Sequence, residues 1–497
     1  MTERPQDEST TPPGGSLAMS SEMEPKAEQH PVAMSAKRQS LILVLITLTQ
    51  LVQMIPLGLG INSGLALGEA LGASNVSSTW IVASYPLTSG TFVLIVLTTT
   101  RHTASGGRLG AIYGHKNVLT AGSLWWTVWA LCGGYSNNLI AMCVMRGLCG
   151  IGGGLMVPNI VALIGINFPP GKKRNLGVAL FGAMAPVGAV GGPLGLFGVV
   201  VYSAVICVVD ADEPVDPDGS IDFVGAYLGV AGLILFNFVW NQAPAVGWQT
   251  PYEITLLVVS ILHLAGFAYW ETKVAKDPIL PFTIWESPSF GLLMLAVSLA
   301  FMSLGIFFWY LNIFMQTIRG DSLIQVGVQY LPLTIMGFLC AFLAGWLVPR
   351  LPAQVIIGLG CLAMVVINVL LATIRADLPY WAMAFPAMFV SAFTIDLITA
   401  SAQIIASNAV ARRHQGVAGS LVGTLLSYGM STGLGFAATV EVHTFRDGTD
   451  LLRGYHSAAY LAVGLSATAL VICCFIRIPK DTREGWGEEE ADAPGQA

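Results

Sequence analysis

Apolar stretches of about twenty residues recur along this chain, and each is long enough to cross the hydrocarbon core of a bilayer. They lie at 41–61, 80–97, 118–135, 139–166, 223–241, 252–270, 289–311, 324–347, 355–374, 380–405, 417–440 and 457–476. A thirteenth apolar run, 175–209, is too long for one ordinary span and short for two. In hydrocarbon every backbone polar group must be satisfied within its own segment, so the spans are expected to be helices. Charged residues make up 10% of the chain, against roughly 25% in soluble proteins. The expected fold class is an all-α polytopic membrane protein with 13–14 spans.

Loop charge orients such a chain. Lys26, Lys37 and Arg38 precede span one, and Arg101, Arg108 and Lys116 follow span two. Lys172, Lys173 and Arg174 follow span four. Lys273, Lys276, Arg350, Arg412 and Arg413 occupy every second loop after that, and Arg477, Lys480 and Arg483 follow the last span. The opposite loops hold Arg319, Arg375, Arg446 and Arg453. Both termini are therefore expected in the cytosol. The net charge of −6 adds nothing to this. Residues 1–39 are polar and rich in Pro, Ser and Glu, and read as a disordered tail, not a cleavable signal. The acidic tail 478–497 reads the same way. Eight cysteines lie in or against spans without metal-type spacing, and read as small buried apolar residues.

Loop charge also constrains the 175–209 run. With Lys172–Arg174 and Lys273/Lys276 on the same side, the spans 223–241 and 252–270 cross out and back. The run must then leave and return as a hairpin of two arms, each about 17 residues or roughly 26 Å, against a core of about 30 Å. The turn is expected at 191–195, where glycine and proline permit a reversal. One long helix is the competing reading, and it would invert every later loop.

Residues 106–116 read GGRLGAIYGHK and resemble the signature loop of the major facilitator superfamily. Gly107, Leu109, Gly114 and Lys116 match that pattern, and Arg108 and His115 lie among them. Ala111 stands where the family often has aspartate and Ile112 where it has a basic residue, so the aspartate's gating salt bridge has no counterpart here. An ordinary basic loop facing anionic headgroups is the simpler reading. MRGLCGIGGG in span four, with Arg146, resembles the family's arginine motif, and the resemblance implies a part in proton coupling. Gly188, Gly192 and Pro193 resemble the glycine–proline motif of its antiporters, although Leu196 and Phe197 replace the glycine pair expected after the proline. The segments 80–95, 240–248 and 415–441 resemble the fungal fourteen-helix drug:proton antiporters, nearest the aminotriazole-resistance and boron-efflux branch, which also has ammonium-facilitator relatives.

The resemblance implies two six-helix bundles, 40–209 and 289–477, with a shortened sixth span in the first. An acidic linker at 210–222, two linker helices at 223–271 and a cytosolic loop at 272–288 separate them. It implies alternating access in the plasma membrane, with the vacuolar membrane as the other candidate, by a monomer. The partners implied are the lipid bilayer, a small-molecule substrate and protons. Both the cut sixth span and the polar insertion 96–105 are also what an altered gene would produce.

Asp396 sits mid-span in 380–405. Carboxylates at that depth are expensive, and transporters use them to carry protons; a hydrogen bond to a neighbouring helix is the structural alternative. Arg146, about 10 Å below its span's outer end, either couples or snorkels to the interface. Gln53, Asn312 and Gln403 are the amides ranked highest for a substrate cavity, above Gln50, Asn159, Asn368 and Asn408, though amides in bundles mostly bond neighbouring helices. His263 reads as a packing residue. Gly419/Gly423 and Gly429/Gly433 have the spacing of close helix contacts, and Asn75 begins an N-glycosylation sequon. No nucleotide-binding loop, metal site or hydrolytic triad is present in the sequence, so no enzyme activity, cofactor or nucleic-acid partner is expected. Proton-coupled efflux of a small toxic molecule is the leading function. A passive facilitator for ammonium or boric acid, a substrate sensor without turnover, and a transport-dead family member are the others.

Overall fold

The computed structural model describes residues 35–96, 108–168, 172–190, 195–209, 212, 222–275, 278–280, 284–285, 289–348, 350–409, 415–444 and 450–477. Every regular element among them is helical. The first bundle holds α1 (Ala36–Ala70), α2 (Asn75–Val96), α3 (Arg108–Tyr113), α4 (His115–Gly133), α5 (Leu139–Asn167), α6 (Lys172–Val190) and α7 (Gly195–Val208). Next come α8 (Phe223–Val246) and α9 (Pro251–Lys273). The second bundle holds α10 (Phe290–Ile313), α11 (Leu323–Gln329), α12 (Leu331–Leu347), α13 (Ala353–Ala372), α14 (Ala384–Asn408), α15 (Gln415–Thr444) and α16 (Leu451–Cys473).

Ten of the described helices are long and apolar enough to cross a membrane. The expected spans at α2 and α4 also form helices, of 22 and 19 residues, but are not among the ten. α2 is rich in Ser and Thr, and in α4 His115 and Lys116 lower the mean hydropathy. In α2 much of that polarity is neutralised locally: Thr91 donates to the Leu87 carbonyl at 2.6 Å, and Thr88 to Gly147 of α5 at 2.6 Å. Each bundle has its own apolar core, one around Ile46, Leu119, Ile160 and Tyr202, the other around Phe301, Phe307, Ile357 and Met388.

The 175–209 run forms two helices with 191–194 between them, outside the described residues. Gly177 of α6 lies against Leu43 and Gly188 against Leu51, so α6 runs parallel to α1. On α7, Tyr202 packs edge-on against Trp126, halfway along α4. Beyond α7, Asp212 accepts hydrogen bonds from His115 N and Lys116 N at the start of α4. The chain therefore returns along α7 to the end of the bundle from which α6 departed. With 14 residues, α7 covers about 21 Å at 1.5 Å per residue.

The termini share that end. Gly64 and Ile61 of α1 meet Trp309 and Asn312 near the C-terminus of α10, so α10 begins at the end where α1 begins. Arg477 N, just past α16, donates to Ser289 Oγ at the start of α10. The bundles meet through α1 on α10, α2 on α15 and α6 on α12. Of the glycine pairs in α15, Gly433 lies against the Met302 backbone and Gly429 near Phe301 and Met302, while a Cβ at Gly419 or Gly423 would meet nothing within 4 Å. Only the second pair brings α15 close to α10. The helix α8 seats at the seam, where Asn237 donates to Thr432 Oγ1 (2.9 Å), and Ser431 donates to Asn237 Oδ1 (3.0 Å) and to the Ala83 carbonyl (3.0 Å). α9 packs on α8, and there His263 makes a T-shaped contact with Tyr227.

Candidate functional site

Arg146 lies on the second turn of α5 with 7% of its surface exposed. Its Nε donates to the Ile81 carbonyl of α2 at 2.5 Å and its Nη2 to the Pro56 carbonyl of α1 at 2.7 Å. The guanidinium lies directly on Gly60, where any Cβ would collide with it. It is thus drawn inward between three helices and does not snorkel. Among the described residues no carboxylate neutralises it; the groups within electrostatic range are Tyr85, Cys143 and Cys149. Tyr85 donates to the Gln53 carbonyl at 2.8 Å, and its hydroxyl also lies against Gly153. The Gln53 side-chain oxygen is buried without a hydrogen-bond partner, as is that of Gln50 one turn earlier.

Asp396 lies in the other bundle, on α14. It is half-buried and in electrostatic range of Cys340 on α12, and has no hydrogen bond or ion pair among the described residues. Gln403, two turns further along the same face, is exposed. The structure does not bring Arg146 and Asp396 together: they sit in separate bundles and share no partner. Asn312 is fully buried between the bundles, where its Nδ2 donates to the Ile61 carbonyl and its Oδ1 accepts from Gln316 at 2.9 Å. Gln316 also donates to the Asn62 carbonyl at 2.8 Å, so the pair clasps α1 to α10.

Of the expected gating loop, Gly107 lies outside the described residues, as does the side chain of Arg108. Gly114 joins α3 to α4 with φ +86°, a conformation that favours glycine. His115 is buried and its Nδ1 shares a 2.8 Å hydrogen bond with Asn159 Oδ1, which ties the loop to α5. Lys116 is half-buried. The Asp212 carboxylate meets the first two N–H groups of α4, at 2.6 and 2.8 Å, where the helix dipole favours an anion. With Ala111 in place of the family's usual aspartate, it is Asp212 that brings a carboxylate to this turn. Gly188 packs on α1, while Gly192 and Pro193 lie outside the described residues. Asn75 is half-buried at the start of α2.

Glu441 is a buried carboxylate that the sequence reading passed over. It accepts from the Tyr310 hydroxyl at 2.7 Å, joining α15 to α10, and Tyr455 of α16 stacks edge-on against Tyr310. Its only signal in the sequence is an acidic residue just past the apolar run 417–440, near the C-terminal end of α15. Asp396, Arg146 and Glu441 thus place two carboxylates and one guanidinium on helices long and apolar enough to cross a membrane.

The sequence profile of the Major Facilitator Superfamily matches residues 42–434. The efflux pump terJ of Aspergillus terreus is 33% identical, over 88% of this chain and 87% of that protein. The low affinity ammonium transporter of Saccharomyces cerevisiae is 34% identical over 82% of each chain. The aminotriazole resistance protein of the same yeast is 33% identical over 82% of this chain and 78% of its own. Among solved structures, a bacterial homolog of the human lysosomal transporter Spinster, inward-facing and unoccupied, has a TM-score of 0.55 at 16% identity. That likeness covers 89% of this chain and 97% of the other, and concerns the fold alone.

Proposed function

The chain belongs to the Major Facilitator Superfamily and is a multi-pass membrane transporter, and from that premise we propose that it couples proton entry to the efflux of small toxic molecules. The observation that carries this reading is Asp396, a membrane-embedded carboxylate without a hydrogen-bond or ion-pair partner among the described residues. A carboxylate satisfied by a structural bond has little reason to exchange its proton. One left unpartnered at membrane depth is held at a cost that only a functional role offsets. The efflux pump and the aminotriazole resistance protein among the relatives favour export of xenobiotics.

In this reading the bundles rock about a central site, with α1–α10 and α2–α15 as the contacts that alternate. Asp396 and Arg146 serve coupling, and the α3–α4 turn with its Asp212 cap serves gating. Gln53 and Gln403 are the amides offered to substrate, joined by Asn312 once the α1–α10 clasp that now holds both its amide atoms parts, and Asn75 is a glycosylation acceptor. The chain acts as a monomer in the plasma membrane with both termini cytosolic. Cells expressing it are expected to export aminotriazole in a manner abolished by an uncoupler, and Asp396→Asn is expected to lose that export at equal expression. Undiminished, uncoupler-sensitive export by Asp396→Asn would sink the assignment.

The 34% identical ammonium transporter favours a second reading, a facilitator for a small polar solute. Ammonium entry that an uncoupler leaves unchanged would select it. The 14-residue α7, shorter than a bilayer core, keeps a transport-dead form in play, which the sequence of the transcript tests directly.

A further inference from the structure

A cavity of about 710 Å³ opens between α1, α4 and α5, toward the end of the bundle opposite the termini. Its volume is within the roughly 300–1,000 Å³ of ordinary ligand sites. Leu59 and Ala66 of α1, Trp129 and Ala130 of α4 and Met142 of α5 form its walls, and Leu323 of α11 adds a contact from the second bundle. The cavity lies beside the contact of α7 with α4. Tyr202 of α7 covers Trp126 with ring centroids 5.6 Å apart, and from Trp126 outward the same side of α4 becomes cavity wall as far as Gly134.

Among the described residues, Arg146 is the one cationic side chain on the cavity wall. Two of its N–H groups are bonded to backbone carbonyls, and no hydrogen bond reaches its Nη1 among the described residues. Trp126, also on the wall and buried, has an indole N–H with no partner of hydrogen-bond geometry, although the Tyr85 hydroxyl lies beside it. Donors and positive charge thus converge at the inner end of an otherwise apolar groove, with no acid among the described residues to balance them.

We propose that this cavity is a lateral binding site for a long-chain carboxylic acid of the fatty-acid type, with its carboxylate on Arg146 and its tail along the α1–α4 groove. The charge calls for an anion, and the Nη1 N–H groups not taken by backbone carbonyls offer a carboxylate a charge-assisted hydrogen bond. Depth selects the kind of anion. Arg146 lies about 10 Å along α5 from its outer end, too deep for a phospholipid headgroup held at the interface. A carboxylic acid can enter from the bilayer in its neutral form and ionise against the guanidinium, its proton passing to water at the cavity's open outer end. The apolar walls then take the hydrocarbon tail at roughly 25 cal/mol per Å² buried.

The test uses the full chain in nanodiscs and a palmitic acid carrying a photoreactive diazirine on its tail. Labelled peptides are expected from residues 55–71 of α1 and 126–134 of α4. Arg146→Gln is expected to lose the label and Arg146→Lys to keep much of it. Ala130→Trp, which fills the groove and leaves Arg146 in place, is expected to lose it while the protein stays monodisperse; this variant serves even if Arg146→Gln misfolds. Palmitate is expected to compete about tenfold or more strongly than its methyl ester, which lacks the charge-assisted bond. Equal labelling of Ala130→Trp, or equal competition by the ester, would overturn the proposal. The readout is binding, so its failure leaves the transport reading untouched, and the reverse also holds.

Discussion

Asp212 caps the first turn of α4 through His115: the carboxylate Oδ2 lies 2.6 Å from the His115 backbone nitrogen, across 97 positions of sequence. Its other oxygen takes the Lys116 N–H at 2.8 Å. This contact fixes where α7 ends, because α4 starts at the end of the bundle where α1 also starts. It also stabilises α4, whose N-cap residue, Gly114, has no side chain to offer. Replacing Asp212 by Ala is expected to destabilise the protein by about 0.5–2 kcal/mol, the ordinary range for a lost cap, with Asp212→Asn losing less. Thermal unfolding in detergent measures this, and unchanged midpoints for both variants would contradict the role.

The same topology is testable by labelling. In a background stripped of native cysteines, Gly219→Cys is expected to react only with a reagent admitted to the cytosol. Reaction with an impermeant external reagent would mean that the 175–209 run crosses once, and would favour the transport-dead reading.

Helix packing along α15 gives a sharper contrast. A side chain at Gly433 would run into the backbone of Met302, whereas Gly423 faces open space. Gly433→Ala is expected to destabilise by about 1–3 kcal/mol, as overpacking does, and Gly423→Ala to be neutral. Comparable monodisperse yield and melting for the two variants would refute this arrangement of α10 and α15.

Tyr310 and Glu441 are expected to be coupled. Tyr310→Phe leaves the buried carboxylate short of a donor, at a cost of about 1–3 kcal/mol. Once Glu441→Gln is present, the same change is expected to cost less, with an interaction energy of about 0.5–3 kcal/mol in a double-mutant cycle. Strict additivity would mean that the 2.7 Å hydrogen bond does not contribute to stability.

These cases show what the sequence carried and what it did not. The spans were legible because hydrocarbon admits so few solutions for a backbone, and Arg146 stood out because a charge in a span is rare. Its partners did not stand out: the carbonyls of Ile81 and Pro56 belong to the backbone and leave no mark in side-chain patterns. Asp212 was visible as an acid in a linker, but its position beside His115 depends on the return of α7. Glu441 went unread because its partner Tyr310, whose hydroxyl donates to it, lies 131 positions away. Gly419/Gly423 and Gly429/Gly433 share one spacing, and spacing alone does not say which pair faces a neighbour. Asn312 was read for substrate and lies in the clasp between α1 and α10, because a buried amide is satisfied by whichever helix is nearest.

The central claim is that Asp396 carries the proton that drives export. The most direct measurement is uptake of radiolabelled aminotriazole into proteoliposomes holding the inverted full-length chain, with the pH inside the vesicles set below that outside. The wild-type chain is expected to accumulate the compound against its gradient and to acidify the outer medium as it does so, and Asp396→Asn to equilibrate it without accumulation or proton movement. Accumulation with matching proton flux in Asp396→Asn would contradict the account.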